Sequence, residues 1–373
     1  MKTLLILNQH QFGYLTDSYA WCKYLSREWH ITYVGWDHDA KKVEMEGVTV
    51  EYVSRRGSKP FRLARYILTA IASLRRQDYD AVLIVYFAGA SCFLPWVARR
   101  RTMIDVRTGS DRPGWFRREF ENALLRFECL LFRERSIVSK SLQNFLSLGR
   151  MRFLVLPLGG ENVSLPPKIF DALHLFYVGT LEYRSIHETV LGLDRWWTTR
   201  RPRFAVSYDI VGSGRDEEEA LLRAAIERSP LRDSIRFHGR LPNAEIFPFL
   251  RDCNVGVAYV PQTDFYDCQP STKVFEYLLA GMPVIATNTT ENVRVINAGN
   301  GAVIEDTIEG FSEGLEQISS RLTDFDSRAI TEASQQYSWE EIVKNVLAPK
   351  LNALAGAGAH DGVALHEPGI VNR

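Results

Sequence analysis

Short apolar runs alternate with stretches of helical periodicity along most of the chain. In the first half this pattern predicts strands at residues 3–7, 30–35, 48–53, 81–86, 102–106, 136–138 and 153–156, and helices at 17–28, 61–76 and 113–132. In the second half it predicts strands at 173–178, 205–211, 234–237, 255–259, 283–286 and 301–304, and helices at 186–196, 217–229, 243–252, 271–280, 291–298 and 308–322. Such alternation is typical of doubly wound parallel sheets. We therefore expect an α/β protein with two Rossmann-like domains in tandem, whose ligands bind beyond the carboxyl ends of the strands.

The breaks in this pattern set the predicted domain boundaries. Residues 1–158 form the first domain, and residues 159–172 form a linker that follows a Pro-Leu-Gly sequence. Residues 173–336 form the second domain. Residues 337–354 are expected to form a helix that returns toward the first domain. Residues 355–373 are rich in Ala, Gly and His without periodicity, so they are expected to be disordered.

Cysteine usage and the apolar stretches bear on the compartment. The five cysteines are an odd number without a CxxC pair, which indicates free thiols in a reducing cytoplasm. The apolar run 3–7 is too short for a signal sequence. Residues 81–98 approach the length of a membrane span. Gly89, Ser91 and Pro95 interrupt this stretch, so a buried strand, a loop and a short helix are the favoured interpretation.

The charge is zero overall but divided between the halves. The 373 residues carry 45 Lys and Arg against 45 Asp and Glu. Residues 1–165 contain 25 basic and 16 acidic residues, a net charge of +9, and the remaining residues therefore carry −9. The zero balance argues against a uniformly basic nucleic-acid binder, and no nucleic-acid recognition motif is present.

The most informative window is residues 270–286, with the sequence PSTKVFEYLLAGMPVIA. Ser271 and Thr272 open a predicted helix, whose free N–H groups and positive dipole end suit a phosphate. Lys273 adds a full positive charge in the first turn. Glu276 lies one turn further, where a carboxylate suits a vicinal diol. The alternative is an ordinary amphipathic helix on which both charges are solvated.

This window resembles the nucleotide-sugar-binding segment of the family-4-type GT-B glycosyltransferases, which commonly read Lys-x-x-Glu, then Ala-Gly-x-Pro-Val-Ile-Ala. Residues 176–184 (FYVGTLEYR), 209–214 (DIVGSG) and 235–240 (IRFHGR) resemble other segments of the same donor domain. Together the resemblance covers roughly residues 173–305. It implies a GT-B fold with a deep interdomain cleft and a retaining, nucleotide-sugar-dependent activity of the bacterial cell-envelope polysaccharide type.

The resemblance also implies residue roles. Lys273 and Arg184 would contact the donor diphosphate, and Glu276 the ribose. The other implied donor-side residues are Gly179, Gly212 and Gly214 for close backbone approach, and His238 and Gly239 beside the base. Arg184 has an alternative as a surface ion pair with Glu182 or Glu188, and His238 as a packed histidine.

The sequence departs from the family pattern at three positions. Cys268 stands where a second glutamate often occurs, eight residues before Glu276. Asp267 and Gln269 are nearby candidates for holding sugar hydroxyls instead. Thr180 and Ser185 replace the usual basic residues of the first glycine loop. These departures leave the identity of the sugar open.

Candidate groups in the first half follow predicted strands. His10, a candidate catalytic group, and Gly13 follow the strand at 3–7, where Gly13 would let a sugar or phosphate approach. Arg107 follows the strand at 102–106, in a loop that we expect to contact the acceptor or its sugar. Asp111 is the preferred base for an acceptor hydroxyl. Asp111 has an alternative role as a helix cap, and His10 as an ordinary loop histidine.

We therefore expect sugar transfer from a nucleotide sugar to a hydroxyl of a lipid-linked or polysaccharide acceptor. Retention is favoured, and no cofactor or metal is expected because cationic groups can neutralise the leaving diphosphate. An inverting reaction would need a base such as Asp111. A GT-B nucleotide-sugar epimerase and a nucleotide-binding protein without catalytic activity are the alternatives, and Cys268 favours the latter.

Basic runs in the first half suggest an anionic partner. Arginines occur at 55–56, 75–76, 99–101 and 117–118, and Trp115 and Phe116 precede the last pair. Basic residues interleaved with aromatic residues favour an anionic membrane surface. This interpretation places the enzyme in the cytoplasm, peripherally on the inner face of the membrane. The alternative is a set of solvated charges with Trp115 and Phe116 in the core.

Overall fold

The computed structural model describes residues 1–110, 114–242 and 245–356. These residues divide into two compact units. Unit 1 comprises Met1–Pro157 and the chain from Trp339 onward, and unit 2 comprises Leu158–Ser338. Each unit is built around its own parallel sheet, so the predicted α/β class with two Rossmann-like domains is confirmed.

Unit 1 contains a seven-stranded sheet in the order β3-β2-β1-β4-β5-β6-β7. Its strands are β1 (Lys2–Leu7), β2 (Trp29–Asp37), β3 (Val48–Ser54), β4 (Ala81–Val85), β5 (Thr102–Val106), β6 (Glu134–Ile137) and β7 (Leu154–Val155). Its first helices are α1 (Thr16–Leu25), α2 (Lys59–Arg76), α3 (Trp115–Leu131) and α4 (Lys140–Phe145), with a 3₁₀ helix at Ala90–Phe93. Strand β4 is buried along its whole length, as expected for a central parallel strand. The chain adds β2 and β3 on one side of β1 and then crosses to add β4 on the other side, so the strand order reverses between β1 and β4.

Unit 2 repeats this topology with six strands in the order β10-β9-β8-β11-β12-β13. The strands are β8 (Leu173–Thr180), β9 (Val206–Ser213), β10 (Ile235–Phe237), β11 (Val255–Ala258), β12 (Val284–Thr287) and β13 (Gly301–Ile304). The helices are α5 (His187–Arg200), α6 (Asp216–Arg228), α7 (Phe247–Asp252), α8 (Asp264–Asp267), α9 (Thr272–Leu279), α10 (Thr290–Val293), α11 (Ile308–Ser319) and α12 (Ser327–Ser334). The direction reverses between β8 and β11, which is where ligands bind in such sheets.

The chain from Trp339 packs on unit 1. It forms α13 (Trp339–Ile342), a π-helical turn (Val343–Leu347) and α14 (Ala348–Gly356). Helix α13 contacts α1, and the Lys2 ammonium donates to the Asn352 amide oxygen at 2.6 Å. Helix α14 includes residues 355 and 356, which the sequence pattern assigned to the tail. The rest of the predicted disordered tail, residues 357–373, lies outside the described residues.

Several predicted helices have different bounds in the structure. The helix predicted at 291–298 ends at Val293, and asparagine side chains take the place of the helical bonds beyond it: Asn300 donates to the Val295 carbonyl at 3.0 Å, and the Gly299 N–H donates to the Asn297 amide oxygen at 2.8 Å. The helix predicted from 243 begins at Phe247, and residues 243–244 lie outside the described part. Helix α12 was not predicted, although the Asp326 carboxylate caps it by accepting from the Arg328 and Ala329 N–H groups.

The apolar stretch 81–98 forms strand β4 and the 3₁₀ helix at Ala90–Phe93, as predicted. None of the helices in the described ranges is both long and apolar enough to cross a membrane. All five cysteines are free thiols.

Candidate donor site

Helix α9 is anchored where the sheet of unit 2 changes direction. The Tyr277 hydroxyl accepts a hydrogen bond from the Val178 N–H of β8 at 3.1 Å. The Tyr277 ring lies directly over Gly256 of β11, where an added Cβ would be 2.3 Å from the ring. Tyr277 therefore ties α9 to both strands at the switch point. This contact fixes the first turn of α9 beside the end of β8.

Lys273 packs against the end of β8. A Cβ placed on Gly179 would lie 2.3 Å from the Lys273 Cε and 2.7 Å from its Nζ, so only glycine allows this position of the lysine. Arg184, in the loop after β8, is near enough for its charge to lower the pKa of Lys273. The Arg184 guanidinium lies 4.3 Å from the ring centre of Tyr266. Two cations therefore converge at the carboxyl end of β8.

In the described part of the chain no carboxylate lies within 4 Å of Lys273 or Arg184, so neither forms a close ion pair, although Glu276, one turn along α9, favours the charged form of Lys273. The two glutamates considered as partners for Arg184 are engaged elsewhere. Glu182 is 3.6 Å from Arg215, and Glu188 accepts from the Tyr259 hydroxyl at 2.6 Å. The surface ion-pair interpretation of Arg184 is therefore not what the described residues show. Two cations without a close ion-pair partner, next to a helix N-terminus, form a site suited to a diphosphate.

Glu276 lies one turn along α9 from Lys273. Loss of water raises the pKa of the Glu276 carboxyl and lowers the pKa of the Lys273 ammonium, and their mutual attraction opposes both shifts. The Glu161 carboxylate raises the pKa of Glu276 further. A Cβ on Gly160 would be 3.0 Å from the Glu276 N–H, so the chain after unit 1 packs closely on this turn. Glu276 is a carboxyl group that can accept hydrogen bonds from a diol.

Three glycines stand side by side at the ends of β8, β9 and β10. Gly179 and Gly212 are register partners, and a Cβ on Gly212 would lie 1.8 Å from the Gly179 carbonyl oxygen. The Gly212 N–H donates to the Gly239 carbonyl at 2.8 Å. Gly239 has open space around its Cα. Gly214 instead packs on Leu181, 2.8 Å from where its Cβ would be, so its close approach is to the protein itself.

His238 forms a hydrogen bond with Asp209 of β9. The distance from the His238 Nε2 to the Asp209 Oδ1 is 2.7 Å, and the imidazole meets the Phe249 ring edge-on at 4.8 Å between centres. The side chain is only partly buried. His238 is therefore an oriented, ring-packed histidine next to Gly239, with one nitrogen committed to Asp209.

The loop before α9 places the remaining candidates. Asp267 ends the short helix α8, and its carboxylate accepts from both the N–H and the hydroxyl of Thr290, at 2.8 and 2.7 Å. The Gln269 N–H donates to the Tyr266 carbonyl at 3.2 Å. Cys268 is buried, and burial raises the pKa of its thiol to about 12. Ser271 is the N-cap of α9 and Thr272 its first residue. Asp267 thus holds the loop, and Cys268 contributes no charge.

In unit 1, His10 and Gly13 follow β1 as predicted. The His10 residue has an exposed surface, yet loss of water around its ring lowers the pKa of the imidazole, an effect that Asp17 opposes. Gly13 has a φ of +90°, and a Cβ there would lie 2.6 Å from the Val43 Cγ2. The tight contact of Gly13 is therefore with Val43, which accounts for this glycine by loop packing.

Arg107 is held in a buried cluster of charges. Its Nε is 2.8 Å from the Asp17 carboxylate and 3.7 Å from the Asp105 carboxylate, and its Nη1 donates to the Leu156 carbonyl at 2.7 Å. Burial raises the pKa of Asp105 to about 6. Two carboxylates already surround the Arg107 charge, so this side chain has a structural role in unit 1. Asp111, the candidate base, lies outside the described residues.

Sequence reasoning missed the residues that position these groups. Tyr266 stacks on Arg184, Tyr277 anchors α9, and Asp209 orients His238. Tyr277 and Asp209 belong to the matched motif segments, but their partners lie far away in the sequence. The signal for Tyr266 was weaker, because it lies on the four-residue helix α8, which the sequence pattern did not predict.

Comparisons with known proteins agree with this fold. Residues 172–321 match the family model described as "Glycosyl transferases group 1". HepE from Anabaena, solved in complex with UDP, is 14% identical with a TM-score of 0.70, covering 95% of this chain and 100% of that one. The lipopolysaccharide outer core galactosyltransferase WaaB, in its apo form, is 12% identical with a TM-score of 0.65, covering 96% of this chain and 100% of that one.

A glycosyltransferase from Rickettsia africae is 14% identical with a TM-score of 0.62, covering 96% of this chain and 97% of that one. No curated protein sequence matches the chain. The family match covers the part of unit 2 that contains the two cations, the glycine row and Glu276. The chain is therefore a glycosyltransferase of the GT-B fold, and residues 172–321 are its glycosyl transferases group 1 domain.

Proposed function

We propose that unit 2 binds a nucleoside diphosphate sugar and that the enzyme transfers the sugar to a hydroxyl of a lipid-linked or polysaccharide acceptor held by unit 1. The observation that carries this proposal is the pair of cations, Lys273 and Arg184, beside Gly179, neither of which has a carboxylate within 4 Å among the described residues. A diphosphate would supply the missing negative charge. The UDP complex of HepE, which has the same fold, supports a nucleotide at such a site.

The chemistry requires a stabilised leaving group. The bond between the anomeric carbon and the donor phosphate oxygen breaks, and the nucleoside diphosphate keeps the electron pair. Arg184, Lys273 and the N-terminus of α9 would neutralise this developing charge. We therefore propose that no metal ion is required, and undiminished turnover in excess chelator is the expected result. A loss of turnover that Mg²⁺ restores would contradict it.

We propose retention of the anomeric configuration. The acceptor oxygen bonds to the anomeric carbon on the face that the diphosphate leaves, and the acceptor proton passes to the leaving phosphate oxygen. Glu276 would hold the ribose hydroxyls and does not take part in the proton transfer. Analysis of the product anomer by nuclear magnetic resonance tests this assignment. An inverted product would overturn it and direct attention to a base such as Asp111.

A thermal-shift panel of UDP-, GDP- and ADP-sugars, followed by a hydrolysis assay, tests the donor site. We expect one nucleotide series to stabilise the chain, and Lys273→Ala and Glu276→Ala to lose that stabilisation with little change in the ligand-free melting temperature. Arg228→Ala is the matched control, because it removes an exposed cation of the same unit. Absence of stabilisation by any nucleotide would overturn the donor site. Binding without turnover would favour a non-catalytic nucleotide-binding protein.

The charge of unit 1 supports a membrane-associated acceptor. Residues 1–165 carry a net charge of +9, and basic groups near anionic headgroups stabilise binding by about 1 kcal/mol each. We propose that the enzyme works on the cytoplasmic face of an anionic membrane, in cell-envelope polysaccharide assembly. Flotation with anionic and with neutral liposomes tests the association. Failure to float with either would remove the membrane from the proposal.

A further inference from the structure

Helix α3 exposes an apolar face to solvent and buries a face that carries polar side chains. Its exposed side chains include Phe116, Phe120, Phe127 and Leu130, which are 82%, 71%, 57% and 60% exposed. The spacings of 4, 7 and 3 residues place them on one face of the helix. With a rise of 1.5 Å per residue, this stripe extends roughly 21 Å along the axis. An exposed apolar stripe of this length marks an interaction surface rather than a solvated helix.

The opposite face of α3 is buried and carries two polar side chains, Asn122 and Glu128, beside Leu125 and Cys129. The Glu128 carboxylate accepts from the Gly89 N–H at 3.0 Å and from the Ser91 N–H at 2.9 Å. The Asn122 side chain accepts from the Ser110 N–H at 3.0 Å. These contacts fix the rotation of the helix about its axis. The apolar face therefore points outward because the polar face is fixed inward.

Basic side chains accompany this stripe. Arg117 and Arg118 are exposed in its first turn, and Trp115, 61% exposed, packs against Phe116 with ring centres 4.6 Å apart. The interpretation that Trp115 and Phe116 lie in the core is wrong. Amphipathic side chains of this kind lie at the level of lipid headgroups.

A neighbouring element extends the same chemistry. Helices α2 and α3 both contact the 3₁₀ helix at Ala90–Phe93. Just beyond that helix, the Arg75 guanidinium of α2 lies 4.1 Å from the centre of the Trp96 ring, and α2 also exposes Phe61 and Leu68. Exposed apolar residues and arginines therefore recur on both helices that border this 3₁₀ helix.

We infer that the outer face of α3 is the element that docks on an anionic lipid bilayer, an inference that rests on the membrane association proposed above. The exposed Arg117 and Arg118 and the net charge of +9 on residues 1–165 favour an anionic occupant, while Glu119 beside them is already paired with Arg126. Phenylalanines would enter the acyl boundary while Arg117 and Arg118 contact anionic headgroups. A second copy docking by the same face would bring together two patches that each carry these arginines, which disfavours self-association.

The test is cosedimentation of the full chain with phosphatidylcholine vesicles that contain or lack phosphatidylglycerol. We expect Phe120→Ser/Phe127→Ser to weaken partitioning at least about tenfold. Arg117→Gln/Arg118→Gln should weaken it by about fivefold per charge, only on the phosphatidylglycerol vesicles. The control Ile169→Ser/Leu221→Ser also removes two exposed apolar side chains, but from unit 2, and should bind like the wild type.

The outcomes separate the two levels of the proposal. If wild type and the α3 variants partition equally, α3 is not the docking element, while membrane association stands. If the wild type binds neither vesicle, membrane association fails too, and a retained nucleotide thermal shift shows that donor binding is unaffected. A wild-type dimer in sedimentation velocity that Phe120→Ser/Phe127→Ser makes monomeric would assign the face to self-association and overturn the inference. If Phe120→Ser/Phe127→Ser melts at a lower temperature than the wild type, the result for Arg117→Gln/Arg118→Gln decides the test.

Discussion

The contact between Gly179 and Lys273 gives the sharpest prediction about the donor site. Gly179→Ala introduces a methyl group whose carbon would lie 2.3 Å from the Lys273 Cε and 2.7 Å from its Nζ. Carbon atoms do not approach so closely, so one group must move. The lysine terminus is the flexible partner, whereas the strand backbone is held by the register of β8 and β9. We therefore expect the ammonium to leave its position.

The magnitude follows from what the ammonium does there. A hydrogen bond to a charged group contributes about 1.5–3 kcal/mol. At 1.4 kcal/mol for each factor of ten, its loss weakens diphosphate binding about 10- to 150-fold. Gly179→Ala should approach the upper value only if the displaced ammonium loses its contact with the ligand completely. Lys273→Ala sets the limit that the glycine variant can reach.

A double-mutant cycle measures this coupling. The ligand is the diphosphate, among UDP, GDP and ADP, that most stabilises the wild type, and its Kd is measured by calorimetry. In the Lys273→Ala background, Gly179→Ala should have almost no further effect, since the displaced group is already absent. Additive effects of the two substitutions would refute the proposed displacement, and so would a wild-type Kd for Gly179→Ala alone.

Gly212→Ala serves as the contrasting control. Its added Cβ would lie 1.8 Å from the Gly179 carbonyl oxygen, so the clash is with backbone. Backbone cannot yield as cheaply as a lysine terminus. We expect a loss of stability of about 1–3 kcal/mol, seen in urea denaturation, rather than a selective loss of affinity. Equal stability losses in the two glycine variants would remove the distinction between the two sites.

Four further predictions concern buried charges. Lys273→Met removes a cation that loss of water and Arg184 disfavour but that Glu276 favours; because these effects oppose each other, we expect the ligand-free melting temperature to change little, and a clear fall would show that the fold needs this ammonium. Loss of water and the Arg184 charge lower the pKa of Lys273 below 10.5. The affinity for a diphosphate should therefore decline with rising pH in a range where an ordinary lysine is still charged. Lys273→Arg should not show this decline. Arg107→Met leaves Asp17 and Asp105 buried without their cation. We expect the free energy of unfolding, measured by chemical denaturation, to fall by about 3–5 kcal/mol. A change near zero would contradict a structural role for Arg107. Burial raises the pKa of Asp105 to about 6, so the folded chain binds the Asp105 proton more tightly than the unfolded chain does. This group therefore favours folding most below pH 3.8, and its contribution is lost as the pH rises to about 6. Asp105→Asn should abolish this part of the pH dependence of the free energy of unfolding.

The two sheets were predictable because buried parallel strands need apolar runs bounded by turns. The strands at 102–106 and 301–304 have the predicted bounds. Helix ends were less predictable where side chains compete for backbone groups. The Asn297 and Asn300 side chains bond to the Gly299 N–H and the Val295 carbonyl, which would pair with each other in a continuing helix, so the helix predicted at 291–298 does not extend to its predicted end although its apolar spacing continues.

The donor-side motif was predictable because one helix turn carries it. The spacing of Lys273 and Glu276 and the glycine before the next strand are local properties, and they survive any uncertainty in the path of the loops. The role of Arg107 was not local. Its partner Asp17 lies on α1, ninety residues earlier, so the sequence could not decide whether the guanidinium faces a sugar or a carboxylate.

The same reasoning bears on the anion site that we propose in the acidic half of the chain. A lysine in the first turn of a helix opposes the helix dipole, and a neighbouring arginine raises that cost. Burial adds to it, since loss of water disfavours the charged form of Lys273. Selection for stability alone would remove such an arrangement. A bound diphosphate makes it favourable, because the diphosphate supplies two negative charges. The unfavourable position of Lys273 beside Arg184 and Gly179 is therefore the strongest physical argument in this chain for a phosphate-bearing donor.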